Sequence, residues 1–144
     1  MTENSEIKLV DSNILIYAYD KSDIHKQKAA MEIIESVWRK RLGALSIQNL
    51  AECYYGLTKK ARMPLLPDNA KQAIIDLSQV FQILKYNEKT IINAINCQEI
   101  YKIHFWDALI VATMEENKIE TIITENEKDF KKIKWIKTIN PFKQ

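Results

Sequence analysis

The stretch IKLVDSNILIYAYD, residues 7–20, contains a short apolar run that stops at an aspartate before a second apolar segment begins. Residues 7–10 have the length and composition of a buried strand, whereas residues 13–19 fit a helical turn or short helix. A buried strand followed at once by a helix is typical of βαβ units, in which successive strands run parallel. The stretch therefore predicts a parallel sheet, with Asp11 at the carboxyl end of its first strand.

Short apolar strands continue to alternate with helical segments along the rest of the chain. The pattern predicts strands at 42–47, 80–84, 121–124 and 135–139, and helices at 25–41, at 48–62, from 67 or 68 onward, at 88–102 and at 106–118. We find no internal repeat, low-complexity segment or linker. The interpretation is a single domain over residues 1–144 with an α/β fold and a mostly parallel sheet.

The composition excludes several classes of protein. Hydrophobic residues make up 47% of the 144-residue chain, which allows a substantial core, and its 2 glycines and 3 prolines argue against a loop-rich or all-β architecture. The start of the chain lacks the apolar core of a signal peptide, and no apolar run approaches the length of a membrane span. Cys53 and Cys97 match no metal-binding spacing. We therefore expect a cytoplasmic protein without a membrane segment.

Two aspartates occupy positions where a carboxylate needs a partner. Asp11 follows a buried strand, which suits either a helix N-cap or a cation ligand. Asp107 opens the segment DALIVA, residues 107–112, whose apolar residues cover nearly the whole circumference and predict a buried helix. A first-turn carboxylate gains from the helix dipole, but an unpaired buried charge is costly and a metal ion would relieve that cost. A cap or first-turn role is the alternative for each.

The helix predicted at 48–62 contains Glu52, which taken alone resembles an ordinary surface residue. Gly56 lies one turn later and costs roughly 1 kcal/mol relative to alanine in a helix interior. A glycine at this position indicates the close approach of another element or of a ligand.

The turn TENEKDF, residues 124–130, follows the fourth predicted strand and brings a hydroxyl, an amide and three carboxylates to the strand ends. By itself it fits a polar loop. Together with Asp11 and Asp107 it forms an oxygen-rich set without a histidine or cysteine cluster, and such a set favours Mg²⁺ or Mn²⁺. These ions activate water and stabilise charge during phosphodiester cleavage.

Four segments of the chain resemble the four signatures of PIN-domain proteins, in the family's order and over nearly the whole sequence. They are VDSNILIYAYD at 10–20, SIQNLAECYYGL at 46–57, FWDALIVATM at 105–114 and TENEKDF at 124–130. The VapC-like subgroup fits best. The resemblance implies a three-layer α/β/α sandwich and a ribonuclease that uses Mg²⁺ or Mn²⁺ to cleave single-stranded RNA, often as a homodimer.

The resemblance also implies roles for individual residues. Asp11, Glu52 and Asp107 fall on the family's acidic metal-site positions. Asn13 matches the polar residue that helps to orient the first aspartate, and Thr124 matches the hydroxyl residue that precedes the last acidic position.

The last acidic position departs from the family pattern, because Asn126 stands where many relatives have aspartate. Asp129 and Glu125 are the two candidates for the missing carboxylate, and we include Asp129 in the predicted catalytic set. The missing charge leaves open whether one metal ion or two are bound.

The expected function is therefore metal-dependent hydrolysis of single-stranded RNA by the toxin of a toxin–antitoxin pair, with a VapB-like antitoxin as partner. Lysines near the crevice would hold the RNA backbone. Tyr17 and Tyr54 are candidates for stacking on bases, although core or subunit contacts are the favoured interpretation. His25 and His104 are given no role.

Two other functions fit parts of the pattern. Phosphotransferases of the haloacid dehalogenase type also place an aspartate after their first strand, but they need a second aspartate two residues later, where this chain has Asn13. A non-catalytic PIN module that binds RNA or a protein is the remaining alternative, which Asn126 leaves open. The three acids Asp11, Glu52 and Asp107 argue against it.

Overall fold

The computed structural model describes residues 6–143 and contains one five-stranded sheet, in the order β3-β2-β1-β4-β5. The strands are β1 (Lys8–Val10), β2 (Gly43–Ser46), β3 (Gln82–Leu84), β4 (Thr121–Ile123) and β5 (Lys137–Ile139). Every neighbouring pair is parallel. All five predicted strands are present, and the sheet is parallel throughout rather than only mostly so.

In the described part of the chain, six α-helices surround the sheet. They are α1 (Ser12–Tyr19), α2 (Ile24–Arg39), α3 (Ile47–Tyr55), α4 (Pro67–Val80), α5 (Glu88–Tyr101) and α6 (Phe105–Glu116). Helix α3 continues as a π-helical segment, Gly56–Lys60, and a short 3₁₀ helix spans Phe130–Lys132. The prediction of a strand from residue 80 was too early, because the backbone N–H of Phe81 still donates to the Leu77 carbonyl and closes the last turn of α4.

Local sequence explains where these helices begin. Asp11 caps α1 by accepting a hydrogen bond from the Ser12 N–H. Ser46 and Asn49 form a reciprocal capping box that fixes the start of α3 immediately after β2. Pro67 occupies the first turn of α4, where its missing N–H would have no helical partner.

The direction of the chain across the sheet explains the two helical layers. The chain passes from β1 to β2 and β3 in one direction, and then returns past β1 to reach β4. Because crossovers between parallel strands are right-handed, this reversal moves the later helices to the opposite face. Leu9 accordingly packs in the core formed with α5 and α6, whereas Val10 packs in the core formed with α1 to α4. The three-layer α/β/α prediction is confirmed.

The end of α3 lies close to α1 at Gly56. A Cβ atom at this position would overlap the side chain of Ile16. The close approach predicted from this glycine is therefore confirmed, and the neighbouring element is α1.

Among residues 6–143, no helix combines the length and the apolar character that crossing a membrane requires.

Candidate active site

The reversal of strand order places a crevice at the carboxyl ends of β1 and β4. Asp11 directly follows β1, and its N–H donates to the carbonyl of Ile123, the last residue of β4, at 2.9 Å. Thr124 follows β4. In open parallel sheets, such a switch point is where ligands bind. The polar residues that end the two central strands therefore meet there.

Asp11 is held by four donors, all of them neutral. Its Oδ1 accepts from the Ser12 N–H at 2.8 Å and from Asn49 Nδ2 at 3.4 Å. Its Oδ2 accepts from the Thr124 hydroxyl at 2.8 Å and from Asn13 Nδ2 at 3.5 Å. The residue is only 6% exposed. Burial outweighs these hydrogen bonds and raises the pKa of Asp11 above its ordinary value.

Glu52 reaches the same crevice from α3. Its two carboxylate oxygens accept from the Ser12 hydroxyl at 3.3 Å and from Gln48 Nε2 at 3.4 Å. Burial, followed by the negative charge of Asp11, raises the pKa of Glu52. Ser12 thus joins the two acids, because its N–H binds one and its hydroxyl binds the other.

Asp107 lies in the first turn of α6 and contacts Asp129. Partial burial, the hydrogen bond to Asp129 and the negative charges of Asp11 and Asp129 raise the pKa of Asp107 to about 7. The negative charge of Asp11 is the third of these causes. One ligand atom from each of His104, Asp107 and Asp129 lies within 4.8 Å of the other two.

Asp129 is anchored by His104. Its Oδ2 accepts from the His104 backbone N–H at 3.0 Å and lies 2.9 Å from the ring Nδ1. Burial alone would raise the pKa of Asp129, but these hydrogen bonds and the one from Asp107 outweigh it and lower the pKa to about 2. Asp129 is therefore the charged member of the pair that it forms with Asp107.

The structure separates the two candidates for the carboxylate missing at Asn126. Glu125 is engaged elsewhere, since it accepts from Lys26 at 2.7 Å and from the Tyr17 hydroxyl at 2.9 Å. Asp129 joins Asp107 instead. Asn126 is exposed, and its backbone N–H donates to the Thr124 hydroxyl at 3.1 Å.

The four predicted acids, called the acidic group below, fall into two parts. Asp107 and Asp129 lie together with His104, whereas Asp11 and Glu52 are joined through Ser12 and lie outside that set of possible metal ligands. The negative charge of Asp11 acts on both Glu52 and Asp107, and Asn13 and Thr124 are donors to Asp11.

The sequence analysis missed the residues that hold these acids in place. They are Ser12, Gln48, Asn49 and His104. Asn49 carried a signal, because it completes the Ser46 capping box three residues later. His104 carried a weaker one, as the residue before a helix that has an aspartate in its first turn.

Neither tyrosine proposed for stacking lies against the acids. Tyr17 bonds Glu125 and packs edge-on against Phe142, with 5.1 Å between ring centroids. Tyr54 lines a groove between α3 and α4. The interpretation of Tyr17 as a packing residue fits these contacts.

The acidic group fits a hard divalent cation. Within residues 6–143, Asp11, Glu52 and Asp107 form no ion pair with a basic side chain. All three have raised pKa values, with burial as the largest cause. A cation held by their oxygens would neutralise the negative charge that burial makes costly. Nearby, the buried Gln48 Oε1 lacks a hydrogen-bond partner among the described residues, and ordered water is a common partner for such an atom.

Residues 8–136 match the family model described as PIN domain. The chain belongs to the PIN domain family. No curated protein sequence matches it significantly.

Three solved PIN-like structures show the same fold. A toxin–antitoxin complex from Klebsiella pneumoniae is 24% identical, with a TM-score of 0.69 over 95% of this chain and 99% of that one. VapBC2 from Rickettsia felis, bound to a promoter DNA fragment, is 21% identical, with a TM-score of 0.68 over 93% and 98%. VapC20 from Mycobacterium tuberculosis, a toxin that cleaves the sarcin–ricin loop, is 17% identical, with a TM-score of 0.60 over 80% and 86%.

We predict that Asp107→Asn stabilises this PIN domain at pH 7.5 in the presence of a chelator. Because the folded-state pKa of Asp107 is about 7, the folded protein binds more protons than the unfolded chain between about pH 4 and 7, so its stability falls as pH rises through that window. The amide removes this penalty. We expect a gain of roughly 1–2 kcal/mol after allowance for solvent screening.

Thermal unfolding of both proteins from pH 4 to 8 measures this gain. It should be small near pH 4 and largest above pH 7. Asp68→Asn is the matched control, because Asp68 is an exposed carboxylate in the first turn of α4. A gain that is equal at all pH values, or equal in the control, would contradict the prediction.

Proposed function

We propose that this chain is a divalent-metal-dependent endoribonuclease that hydrolyses single-stranded RNA and acts as the toxin of a toxin–antitoxin pair. The observation that carries the proposal is the placement of Asp11, Glu52, Asp107 and Asp129 around the switch point, where the first three form no ion pair with a basic side chain within residues 6–143. Membership of the PIN domain family supports a nuclease role.

In this proposal the chain's own residues prepare the site. Asp11, Glu52 and Asp107 hold the cation, which is Mg²⁺ or Mn²⁺ because the ligands are carboxylate oxygens. Thr124, Asn13 and Asn49 fix the orientation of Asp11, and Ser12 and Gln48 fix that of Glu52. A bound divalent cation activates water and stabilises the charge that develops at the phosphate.

Asp129 takes the place of the missing acid in this proposal. Its link to Asp107 keeps a fourth carboxylate in the site although residue 126 is an asparagine. His104 holds Asp129 through both its backbone and its ring. The site therefore has the carboxylates that cation binding requires, but one of them comes from three residues farther along the chain.

A cavity next to the acids offers cations to the RNA backbone. The cavity has a volume of about 420 Å³, lies beside Asn13, and is lined by Lys26, Lys60 and Arg62 together with the acids Asp20 and Asp23. Lys60 and Arg62 form no ion pair with an acid within residues 6–143, whereas Lys26 binds Glu125. Such cations bind phosphates without regard to sequence.

We predict that Asp107→Asn lowers Mg²⁺- or Mn²⁺-dependent cleavage of single-stranded RNA by about a hundredfold or more, because it removes a ligand charge. Asn126→Asp should keep or raise the rate, since it adds a carboxylate where the site already works without one. Asp129→Asn should lower the rate if Asp129 stands in for the missing acid.

Cleavage rates against metal concentration compare these variants with wild type and with Asp68→Asn as a surface control. Activity that survives exhaustive chelation would contradict metal dependence. A fully active Asp107→Asn variant would refute the mechanism, and a silent Asp129→Asn variant would indicate one cation held by three carboxylates.

The antitoxin, in this proposal, binds the apolar groove between α2 and α4. The groove has a volume of about 360 Å³, and its lining includes Met31, Trp38 and Val80. These side chains are 52%, 45% and 43% exposed. Exposed apolar surface of this kind marks an interaction site. Solved structures with this fold include the Klebsiella pneumoniae toxin–antitoxin complex, which supports a protein partner.

We predict that Trp38→Glu weakens binding of the antitoxin encoded by the adjacent gene by at least about tenfold, because a central aromatic anchor becomes a charge. Ile24→Glu is the matched control, since Ile24 is 73% exposed on the same helix but lies outside the groove. Titration of the purified partners measures both. Equal affinities for Trp38→Glu and wild type would exclude this groove.

We also propose that the chain forms a homodimer through the exposed isoleucine face of α5. Ile91, Ile92 and Ile95 are 40%, 57% and 47% exposed on this helix. A contiguous apolar face that can meet its own copy is the usual route to a symmetric dimer.

Ile92→Glu combined with Ile95→Glu should convert the dimer to a monomer, because two charges would be buried at the interface. Light scattering on the isolated chain measures the mass, and Ile24→Glu again serves as the control. A monomeric mass for the wild-type chain would contradict the dimer.

A further inference from the structure

A cleft of about 630 Å³ opens beside the acidic group, on the side of α3. Its lining includes Ser12 and Glu52 from the site, Tyr55 at the end of α3, Tyr86 after β3 and Trp106 in α6. Ligand pockets for small molecules have volumes of roughly 300–1,000 Å³, so there is room for one nucleotide unit. The cleft thus shares a wall with the proposed reaction centre.

Two of the three aromatic rings in this cleft are unusually exposed. Trp106 is 61% exposed and Tyr55 is 56% exposed, whereas Tyr86 is half-buried against the core. Large aromatic side chains normally gain stability from burial. Exposed rings on separate elements around one cleft therefore indicate a surface that is completed by a ligand.

Trp106 is held in place despite its exposure. Its ring packs edge-on against Phe105, with 5.2 Å between ring centroids. Its backbone carbonyl accepts from Gln48 Nε2 at 2.9 Å, and Gln48, only 5% exposed, also donates to Glu52. The same buried amide thus orients both a proposed metal ligand and the backbone that carries the exposed indole.

The charge around the cleft suits a nucleotide. Lys60 lines the cleft and lies 5.6 Å from the centroid of the Tyr55 ring, and it also lines the cavity beside Asn13 that contains Lys26 and Arg62. An RNA strand that runs from Lys60 past Glu52 would place one phosphate at the acids. The base next to that phosphate would then lie among the aromatic rings. Bases of single-stranded RNA stack on aromatic side chains in this way, whereas paired bases in a duplex are already stacked.

We propose that this cleft is the subsite for one unpaired nucleobase adjacent to the scissile phosphate, with Trp106 as the stacking residue. The inference rests on the proposed ribonuclease function. It assigns substrate selection to the side of the site formed by α3 and α6. The subsite would give the proposed specificity for single-stranded RNA, because only an unstacked base can enter.

The first experiment measures binding without cleavage. The variant Trp38→Phe/Trp135→Phe retains Trp106 as its only tryptophan, and its fluorescence is followed in a chelator as short RNA oligonucleotides are added. We expect quenching by single-stranded RNA and little change with a fully paired duplex. Equal quenching by both, or none by single-stranded RNA, would overturn the proposal.

The second experiment compares Trp106→Leu with Trp106→Phe. Loss of one base stack should weaken binding of single-stranded RNA by roughly ten- to a hundredfold, and phenylalanine should restore most of it. Trp38→Leu is the matched control, because it makes the same change at an exposed tryptophan in the groove between α2 and α4. Binding by Trp106→Leu equal to that of wild type would overturn the proposal.

Oligonucleotides with one abasic position identify the contact itself. Wild type should lose affinity when the stacked base is removed, and Trp106→Leu should lose almost nothing further at that position. If Trp106→Leu lost as much affinity as wild type at every abasic position, the proposal would be overturned. Metal-dependent cleavage that is unaffected by Trp106→Leu would refute the proposed subsite but not the proposed ribonuclease function. Base-dependent quenching without any cleavage would refute only the ribonuclease function.

Discussion

The burial of Asp11 among neutral donors is the constraint on which the site depends. Its carboxylate leaves water at the carboxyl end of the central strand, and hydrogen bonds from Ser12, Asn13, Asn49 and Thr124 compensate only part of the cost. Those donors come from three different places in the chain. The position of one acid therefore fixes the start of α1, the capping turn of α3 and the end of β4 relative to one another.

The strand order makes this convergence possible. If the chain had continued in one direction across the sheet, β4 would not lie beside β1, and Thr124 would be far from Asp11. The return past β1 also moves α5 and α6 to the opposite face of the sheet from α1 to α4. Asp107 thus approaches the crevice from the α5–α6 layer, whereas Glu52 approaches from the layer of α1 to α4.

The fold and the central acids were predictable because their signals are local. Asp11 follows an apolar strand, and Asp107 lies in the first turn of a helix whose residues from 108 to 114 are all buried. Glu52 carried no such signal and was placed by the family resemblance alone. The contacts of Gln48 with Trp106 and of His104 with Asp129 join residues 58 and 25 positions apart, and no local pattern encodes them.

The sequence also could not show which of two neighbouring tyrosines faces the cleft. Tyr54 and Tyr55 are adjacent on α3, and the helical period of 3.6 residues turns them about 100° apart. Tyr54 faces the groove with α4, whereas Tyr55 faces the cleft beside Glu52. The apolar pattern of the segment does not decide between the two, because neither ring is buried.

Gln48 couples the position of Glu52 to the position of the first turn of α6. One buried amide nitrogen bonds both Glu52 and the backbone of Trp106. Any displacement of the indole that moves the first turn of α6 also changes the donor available to Glu52, and Asp107 is the next residue along that turn. Substrate contact at the cleft and the geometry of the acids are therefore linked through the start of a helix rather than through a loop. Such an arrangement keeps the carboxylates oriented before substrate arrives, which is the condition under which electrostatic stabilisation contributes most to catalysis.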